Sequence, residues 1–227
     1  MSDFTTLRDR MVERQIAARG LNDPKLLAAF RAVPREKFIS SDYAGYAYQD
    51  SPLPIESGQT ISQPYIVALT IDAAGIGPGD KVLEVGAGSG YAAAVIGQIA
   101  DKVIAVERHP ELVSLAQDRI GRLGYQNVRI VEGDGTLGWP GEAPFDVIVA
   151  AASGSHVPKS WIEQLKPGGR IVMPIGDPGS VQSLVKVTKQ EDGTLDREDL
   201  GGVRFVPLIG KEGFRDSGSE AQIASLP

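Results

Sequence analysis

The stretch VLEVGAGSGY at 82–91 decides the fold. A short apolar run, KVLEV at 81–85, is closed by the turn GAGSG, and the alanine-rich segment YAAAVIGQIA follows it. This order indicates a buried strand, a tight turn and a helix, which is the repeating unit of doubly wound α/β sheets. The turn has the spacing G-x-G-x-G, formed by Gly86, Gly88 and Gly90.

The same alternation continues along the chain. Apolar runs at 102–107 (KVIAVE), 127–133 (NVRIVEG) and 145–152 (FDVIVAAA) alternate with helical segments. This pattern predicts right-handed βαβ units in a mostly parallel sheet. Two later segments, SLVKVTK at 183–189 and VRFVPLI at 203–209, have no helix between them, so we expect antiparallel pairing at one edge.

The N-terminal part has a different character. Apolar spacing predicts helices over about 4–19 and from Pro24 to Val33. The Tyr-, Pro- and Gly-rich stretch at 42–60 predicts an ordered loop with one short hairpin. We therefore expect one domain at 1–213, with a helical and loop extension at 1–60 and an α/β core at 61–213, followed by a loosely ordered tail at 214–227.

Composition excludes several functions. The net charge of −6, the pI near 5.0 and the lack of a basic cluster argue against a nucleic-acid partner. With no cysteine and two histidines, we expect neither disulfides nor a metal site. The first 20 residues are charged throughout, and no apolar run approaches the roughly 20 residues of a membrane span. We therefore expect a soluble cytoplasmic protein with no membrane partner.

Ligands of doubly wound sheets bind beyond the carboxyl ends of the strands. A dinucleotide fingerprint would place its third glycine at position 91, where this chain has Tyr91, so the turn suits S-adenosylmethionine, which carries no phosphate. Glu107 ends the second strand, 21 positions after Gly86 (107 − 86), and is placed to accept hydrogen bonds from ribose hydroxyls. Asp134 ends the third strand and is placed to accept the adenine amino group, while Gly135 leaves room for the ring.

Several longer motifs carry a family resemblance. VLEVGAGSGY, EGDGTLGW, APFDVIVAAA and LKPGGRIVMPIG resemble the class I S-adenosylmethionine-dependent methyltransferases. GQTISQPYIVA at 58–68, together with GGVRFVPLIGKEG at 201–213, resembles one branch, the protein-L-isoaspartate (D-aspartate) O-methyltransferases. The similarity runs from about Met11 to Gly213, and TIS-x-P is its most discriminating motif.

The resemblance implies a Rossmann-like class I methyltransferase fold with N-terminal helices and an antiparallel edge strand. It also implies S-adenosyl-L-methionine as cofactor and damaged proteins or peptides bearing isoaspartyl or D-aspartyl residues as substrates, and we expect a monomer. The implied cofactor-binding residues are Glu84, Gly86, Ala87, Gly88, Ser89, Gly90, Glu107, Arg108, Asp134 and Gly135. The implied substrate-binding residues are Thr60, Ile61, Ser62, Val206, Pro207 and Leu208, with Ser62 as the catalytic residue.

The expected chemistry suits uncharged hydrogen-bond donors. The acceptor carboxyl has a pKa of about 4 and is ionised at neutral pH, so no general base is needed. Hydroxyls of Thr60 and Ser62 hold such a carboxylate without cancelling its charge. From the residues alone, the favoured role of Ser62 is the N-cap of a helix with Pro64 in its first turn. The resemblance favours the active-site role, and one serine can serve both.

Three other functions remain open at this point. The same scaffold suits a carboxyl methyltransferase acting on a small molecule or on one dedicated peptide. A nicotinamide-dependent oxidoreductase is disfavoured by Tyr91 and by the absence of a Tyr-x-x-x-Lys sequence. The third is a protein that binds S-adenosylmethionine without catalysis.

Overall fold

The structure is a computed structural model that describes residues 3–216. From residue 217 onward, the predicted loose tail lies outside the described residues. The α-helices are α1 (Phe4–Met11), α2 (Pro24–Ala32), α3 (Pro64–Ala74), α4 (Tyr91–Gly97), α5 (Pro110–Leu123) and α6 (Lys159–Gln164). The strands are β1 (Leu53–Pro54), β2 (Thr60–Ile61), β3 (Lys81–Val85), β4 (Lys102–Glu107), β5 (Val128–Glu132), β6 (Phe145–Ala150), β7 (Leu165–Ile175), β8 (Gln182–Lys189) and β9 (Leu195–Val203).

The central sheet has the strand order β5-β4-β3-β6-β7-β8-β9. Neighbouring strands are parallel from β5 to β7, and β7, β8 and β9 pair antiparallel. The predicted doubly wound, mostly parallel sheet with antiparallel pairing at one edge is therefore confirmed. The winding reverses at β3, which lies between β4 and β6, so the ligand crevice is expected beyond the carboxyl end of β3.

The last strand lies elsewhere than predicted. It is β9, and the predicted strand at 203–209 is wrong beyond Val203. Most of β9 is polar and exposed and it pairs with β8 at the sheet edge, so its sequence lacks the apolar alternation by which strands are recognised.

The segment after β9 instead crosses beyond the carboxyl end of β6. Pro207 forms an isolated parallel bridge with Ser153. In this bridge the Ser153 N–H donates to the Val206 carbonyl at 2.8 Å, and the Leu208 N–H donates to the Ser153 carbonyl at 2.8 Å. These bonds bring the apolar residues of this segment to the expected ligand crevice.

The N-terminal elements follow the predictions closely. The first helical stretch runs to Arg19, although α1 continues as a π-helical turn at Val12–Ile16 and a 3₁₀ turn at Ala17–Arg19. Helix α2 begins where predicted, with the Asp23 carboxylate accepting the N–H of Lys25 at 2.8 Å. The predicted hairpin is formed by β1 and β2, which pair antiparallel.

Apolar clusters cover both faces of the sheet. On one face, Met11 and Phe30 of the N-terminal extension pack in the same cluster as Tyr91 of α4. On the other face, Leu83 packs with Trp161. The N-terminal extension therefore shares its core with the α/β part, while the division of the chain at residue 60 stays a prediction.

Candidate active site

A cavity of about 190 Å³ lies at the carboxyl ends of β3 and β4, and the glycine turn forms part of its wall. Gly86 and Gly88 have φ values of 86° and 52°, in the left-handed region that favours glycine. The N–H groups of Gly86 and Ala87 both donate to the Val106 carbonyl, at 2.9 and 3.1 Å. These bonds fold the turn back against β4, and its backbone faces the cavity with no side chain between.

Glu107 is a buried acid at the end of β4, with 5% of its surface exposed. Its carboxylate accepts the N–H groups of Gly88 at 2.9 Å, Arg108 at 2.7 Å and His109 at 3.0 Å. Because a carboxylate offers about four acceptor positions, one is left for a ligand hydroxyl. Glu107 and Arg108 both line the cavity, and their predicted contacts with the cofactor, through the ribose for Glu107, stay predictions.

Glu84, near the end of β3, carries an unsatisfied buried oxygen. The residue is 2% exposed, and no hydrogen-bond donor among residues 3–216 reaches its Oε2. Burial, followed by the charge of Glu107, raises the pKa of Glu84 well above its ordinary value. Glu84 and Ser62 line a small neighbouring cavity of about 40 Å³. A buried carboxylate without a donor fits a cationic ligand group, such as the ammonium of the amino-acid part of S-adenosylmethionine.

Asp134, which follows β5, is hydrogen-bonded on both oxygens. Oδ1 accepts the N–H of Thr136 at 2.9 Å and its hydroxyl at 2.6 Å, while Oδ2 accepts the N–H of Lys211 at 2.8 Å. The predicted adenine contact therefore has to share this carboxylate with the backbone near residue 211. A Cβ on Gly135 would collide with Val85, which explains the glycine at that position.

A second concavity, an open groove of about 640 Å³, lies beside the cavity of about 190 Å³. We name the two spaces the cofactor cavity and the acceptor groove, for the roles proposed for them. The lining of the acceptor groove includes Thr60 and Ser62 from the segment around β2 and Arg204 and Phe205 from the segment after β9. Three residues line both spaces: Thr60, Ala151 and Val206. The cofactor cavity and this acceptor groove therefore meet at one shared wall.

Ser62 lies between β2 and α3 and is half-buried. The prediction that it caps α3 is wrong, because the N-cap residue is Gln63 and no side chain makes a capping bond there. The Ser62 carbonyl accepts a hydrogen bond from Arg35 at 2.8 Å. The capping role is thereby removed, and the proposed role of the hydroxyl toward the acceptor stays a prediction.

The remaining predicted residues divide between these spaces. Pro207 and Leu208 line the cofactor cavity, whereas Arg204 and Phe205, which the sequence reasoning missed, line the acceptor groove. Both lie in the VRFVPLI motif at 203–209, of which only Val206, Pro207 and Leu208 were predicted to bind substrate. Ile61, Ala87 and Ser89 line the small cavity with Glu84, and Gly90 is the N-cap residue of α4, with a φ of 87°.

The sheet is doubly wound, has a G-x-G-x-G turn at its switch point and carries buried acids near the ends of β3 and β4. A groove adjoins the cavity at this edge. These features together are those of the class I S-adenosylmethionine-dependent methyltransferases. Within this class, residues 6–213 match the sequence model of the protein-L-isoaspartate(D-aspartate) O-methyltransferases. The chain belongs to that family. Membership excludes the nicotinamide-dependent oxidoreductase.

Individual relatives agree with the family. A protein-L-isoaspartate O-methyltransferase of Rhodopseudomonas palustris is 53% identical over 205 residues, covering 90% of this chain and 94% of the relative. One from Brucella anthropi is 48% identical, covering 95% and 99%.

Solved structures extend the agreement to the fold. A protein-L-isoaspartate O-methyltransferase structure superposes with a TM-score of 0.82 at 31% identity, covering 93% of this chain and 67% of the other. A Plasmodium falciparum protein solved in complex with S-adenosyl-L-homocysteine superposes with a TM-score of 0.78 at 26% identity, covering 89% and 98%.

Proposed function

We propose that this chain transfers a methyl group from S-adenosyl-L-methionine to the free carboxylate of L-isoaspartyl and D-aspartyl residues in damaged proteins and peptides, which initiates their repair. Family membership supplies the reaction. The observation that carries the proposal within the structure is the wall shared by the cofactor cavity and the acceptor groove, formed by Thr60, Ala151 and Val206. A donor on one side and an acceptor on the other would meet there.

The glycine turn, Glu84 and Glu107 would hold the cofactor. When bound, S-adenosylmethionine supplies an electrophilic methyl group, whose bond to sulfur breaks with the electron pair remaining on sulfur. The acceptor carboxylate oxygen forms the new bond and is already ionised, so no residue has to remove a proton. The protein has to align the oxygen with the methyl carbon, and alignment of this kind contributes roughly 7–11 kcal/mol to lowering a barrier.

Thr60 and Ser62 would hold the acceptor. An anion and a sulfonium cation become neutral products, so charge diminishes at the transition state. A cationic side chain bonded directly to the carboxylate would stabilise the reactants more than the transition state and slow the step. Neutral hydroxyls avoid this penalty while still orienting the oxygen.

The test uses paired peptides that differ only in aspartyl or isoaspartyl linkage, with radiolabelled S-adenosylmethionine. We expect base-labile methyl ester on the isoaspartyl peptide and none on its aspartyl partner. Equal labelling of both peptides would contradict selectivity for damaged residues. Cofactor binding without any peptide labelling would favour the small-molecule or dedicated-peptide acceptor, or a binding protein without catalysis.

We extend the proposal to a monomer that acts in the cytoplasm without a nucleic-acid partner. No helix among residues 3–216 has the length and apolar character needed to cross a bilayer. The acceptor groove is open, and Val181 on its rim is 60% exposed, so an extended peptide can enter it. Light scattering of the purified chain should give the mass of one copy, about 24.1 kDa.

A further inference from the structure

Arg35 is a fully buried cation in the N-terminal extension, in a 3₁₀ turn at Arg35–Phe38. None of the ion pairs formed within residues 3–216 includes it. Burial lowers the pKa of its guanidinium from the ordinary value. Removing an unpaired charge from water is costly, and an apolar side chain would fill the same space without that cost. The position therefore calls for an explanation beyond packing.

The guanidinium bonds to two backbone carbonyls from separate parts of the chain. Nε donates to the Ala47 carbonyl and Nη2 to the Ser62 carbonyl, each at 2.8 Å. Its central carbon lies 4.8 Å from the ring centroid of Tyr91, the first residue of the helix after the glycine turn. The Arg35 side chain thus contacts the N-terminal extension, Ser62 and the helix that follows the glycine turn.

The bond to Ser62 bears directly on the position of its hydroxyl. Within residues 3–216, that hydroxyl has no hydrogen-bond partner, so the backbone that carries Ser62 sets the point from which the hydroxyl reaches an acceptor. The planar guanidinium fork donates in two fixed directions, which restrains the Ser62 peptide group relative to Ala47. A single flexible donor would not impose the same restraint.

We infer that Arg35 is a positioning residue for methyl transfer: it holds the Ser62 backbone so that the hydroxyl faces the acceptor groove. This inference rests on the proposed function, since Ser62 is taken as the residue that orients the acceptor carboxylate. Arg35 lies behind Ser62 and acts through it, so its charge is not bonded to the acceptor itself.

The test is a double-mutant cycle between Arg35→Met and Ser62→Ala, measured as kcat/KM for the isoaspartyl peptide. Each single variant should lose about tenfold in kcat/KM with cofactor affinity unchanged by calorimetry. The double variant should lose about the same as Ser62→Ala alone, because Arg35 has nothing to position once the hydroxyl is gone. Losses that multiply, to about a hundredfold, would overturn the inference.

Arg8→Met is the matched control. Arg8 also lies in the N-terminal extension and its Nη1 is 3.5 Å from the Tyr48 hydroxyl, but it makes no bond to Ser62. Its effect, whatever its size, should multiply with that of Ser62→Ala. If Arg35→Met does not fold, the same cycle with Arg35→Lys applies the same criterion, since lysine keeps the charge but loses the fork. An inactive wild-type chain would contradict the proposed function, whereas an active wild type with multiplying losses would contradict only the role of Arg35.

Discussion

At the scale of single residues, the carboxylate of Asp134 has two competing partners. It accepts the Lys211 N–H in the structure, and it is predicted to accept an adenine amino group. The side-chain amide of an Asn would present an N–H donor, in place of an oxygen acceptor, to the Lys211 N–H or to the adenine amino group. We therefore expect Asp134→Asn to raise the Kd for S-adenosylmethionine about tenfold, or about 1.4 kcal/mol, measured by calorimetry.

The chain offers a matched control for this substitution. Asp192 binds Thr194 in the same way that Asp134 binds Thr136, through the N–H at 2.9 Å and the hydroxyl at 2.6 Å, in an exposed turn. Asp192→Asn should leave cofactor affinity unchanged. Equal affinities for the two variants would remove Asp134 from the cofactor site.

Glu84 should make stability depend on pH. Its pKa is raised in the folded protein by burial and then by Glu107, so the folded state binds this proton more readily than the unfolded chain does. Its contribution to the free energy of unfolding therefore falls as pH rises above the ordinary pKa of a glutamate. Glu84→Gln removes this loss, so the stability of the variant relative to wild type should increase with pH in urea unfolding.

Glu132→Gln, at an exposed position at the end of β5, is the control for Glu84→Gln. It makes the same chemical change at the surface, and the trend for Glu84→Gln is measured against it. A difference between Glu84→Gln and wild type that stays constant with pH would mean that Glu84 does not titrate abnormally.

At the scale of elements, the segment after β9 is held against the cofactor side by several backbone contacts. Lys211 donates to Asp134 at 2.8 Å, and the Glu212 N–H donates to the Thr136 hydroxyl at 3.0 Å. Gly210 fits closely against the same two residues, and a Cβ there would collide with the Asp134 carboxylate and with Thr136. The segment that lines both the cofactor cavity and the acceptor groove therefore depends on a glycine for its position.

We expect Gly210→Ala to displace this segment and lower kcat/KM for the isoaspartyl peptide about tenfold. The expected cause is collision, since the φ of Gly210 is not among the left-handed values. Gly121→Ala is the control, because a Cβ on this exposed position in α5 would meet no atom within 4 Å. Unchanged kinetics for Gly210→Ala would show that the segment adjusts without affecting the site.

At the scale of the whole molecule, the N-terminal extension and the α/β part share one apolar cluster. Met11, Phe30 and Phe38 are buried in the same cluster as Tyr91 and Val95. Neither part can unfold without exposing apolar surface of the other, so we expect a single calorimetric transition. Saturating S-adenosylmethionine should raise the Tm of that whole transition.

Two transitions, of which the cofactor shifts only one, would show that residues 1–60 and 61–213 form separate units. Arg35 adds a polar contact to this shared packing, since its Nη2 donates to the Ser62 carbonyl of the other part at 2.8 Å. The stability of the fold and the position of Ser62 thus depend on the same packing between the two parts.

The pattern of apolar residues was sufficient to predict the strands that are buried along their length. The bounds of β3 and β4 follow from the runs KVLEV and KVIAVE, because a strand covered on both faces is apolar over most of its length. The buried acids Glu84 and Glu107 are the exceptions, and both lie near the carboxyl end of their strand. Glycine spacing located the turn at the carboxyl end of β3, and the acid at Glu107 followed from the end of β4. Where burial does not repeat, as in the exposed strand β9, the same reasoning failed.

The sequence by itself determined the class of fold, the ends of the parallel strands and, through resemblance, the family and its cofactor. Only the tertiary structure decided which side chains meet: Arg35 with a carbonyl 27 positions away, Pro207 with Ser153, and Thr60, Ala151 and Val206 at the wall between two cavities. The physical reason is that periodicity records which face of a segment is buried. It carries no information on which distant backbone group a buried donor reaches, since that depends on how whole elements pack together.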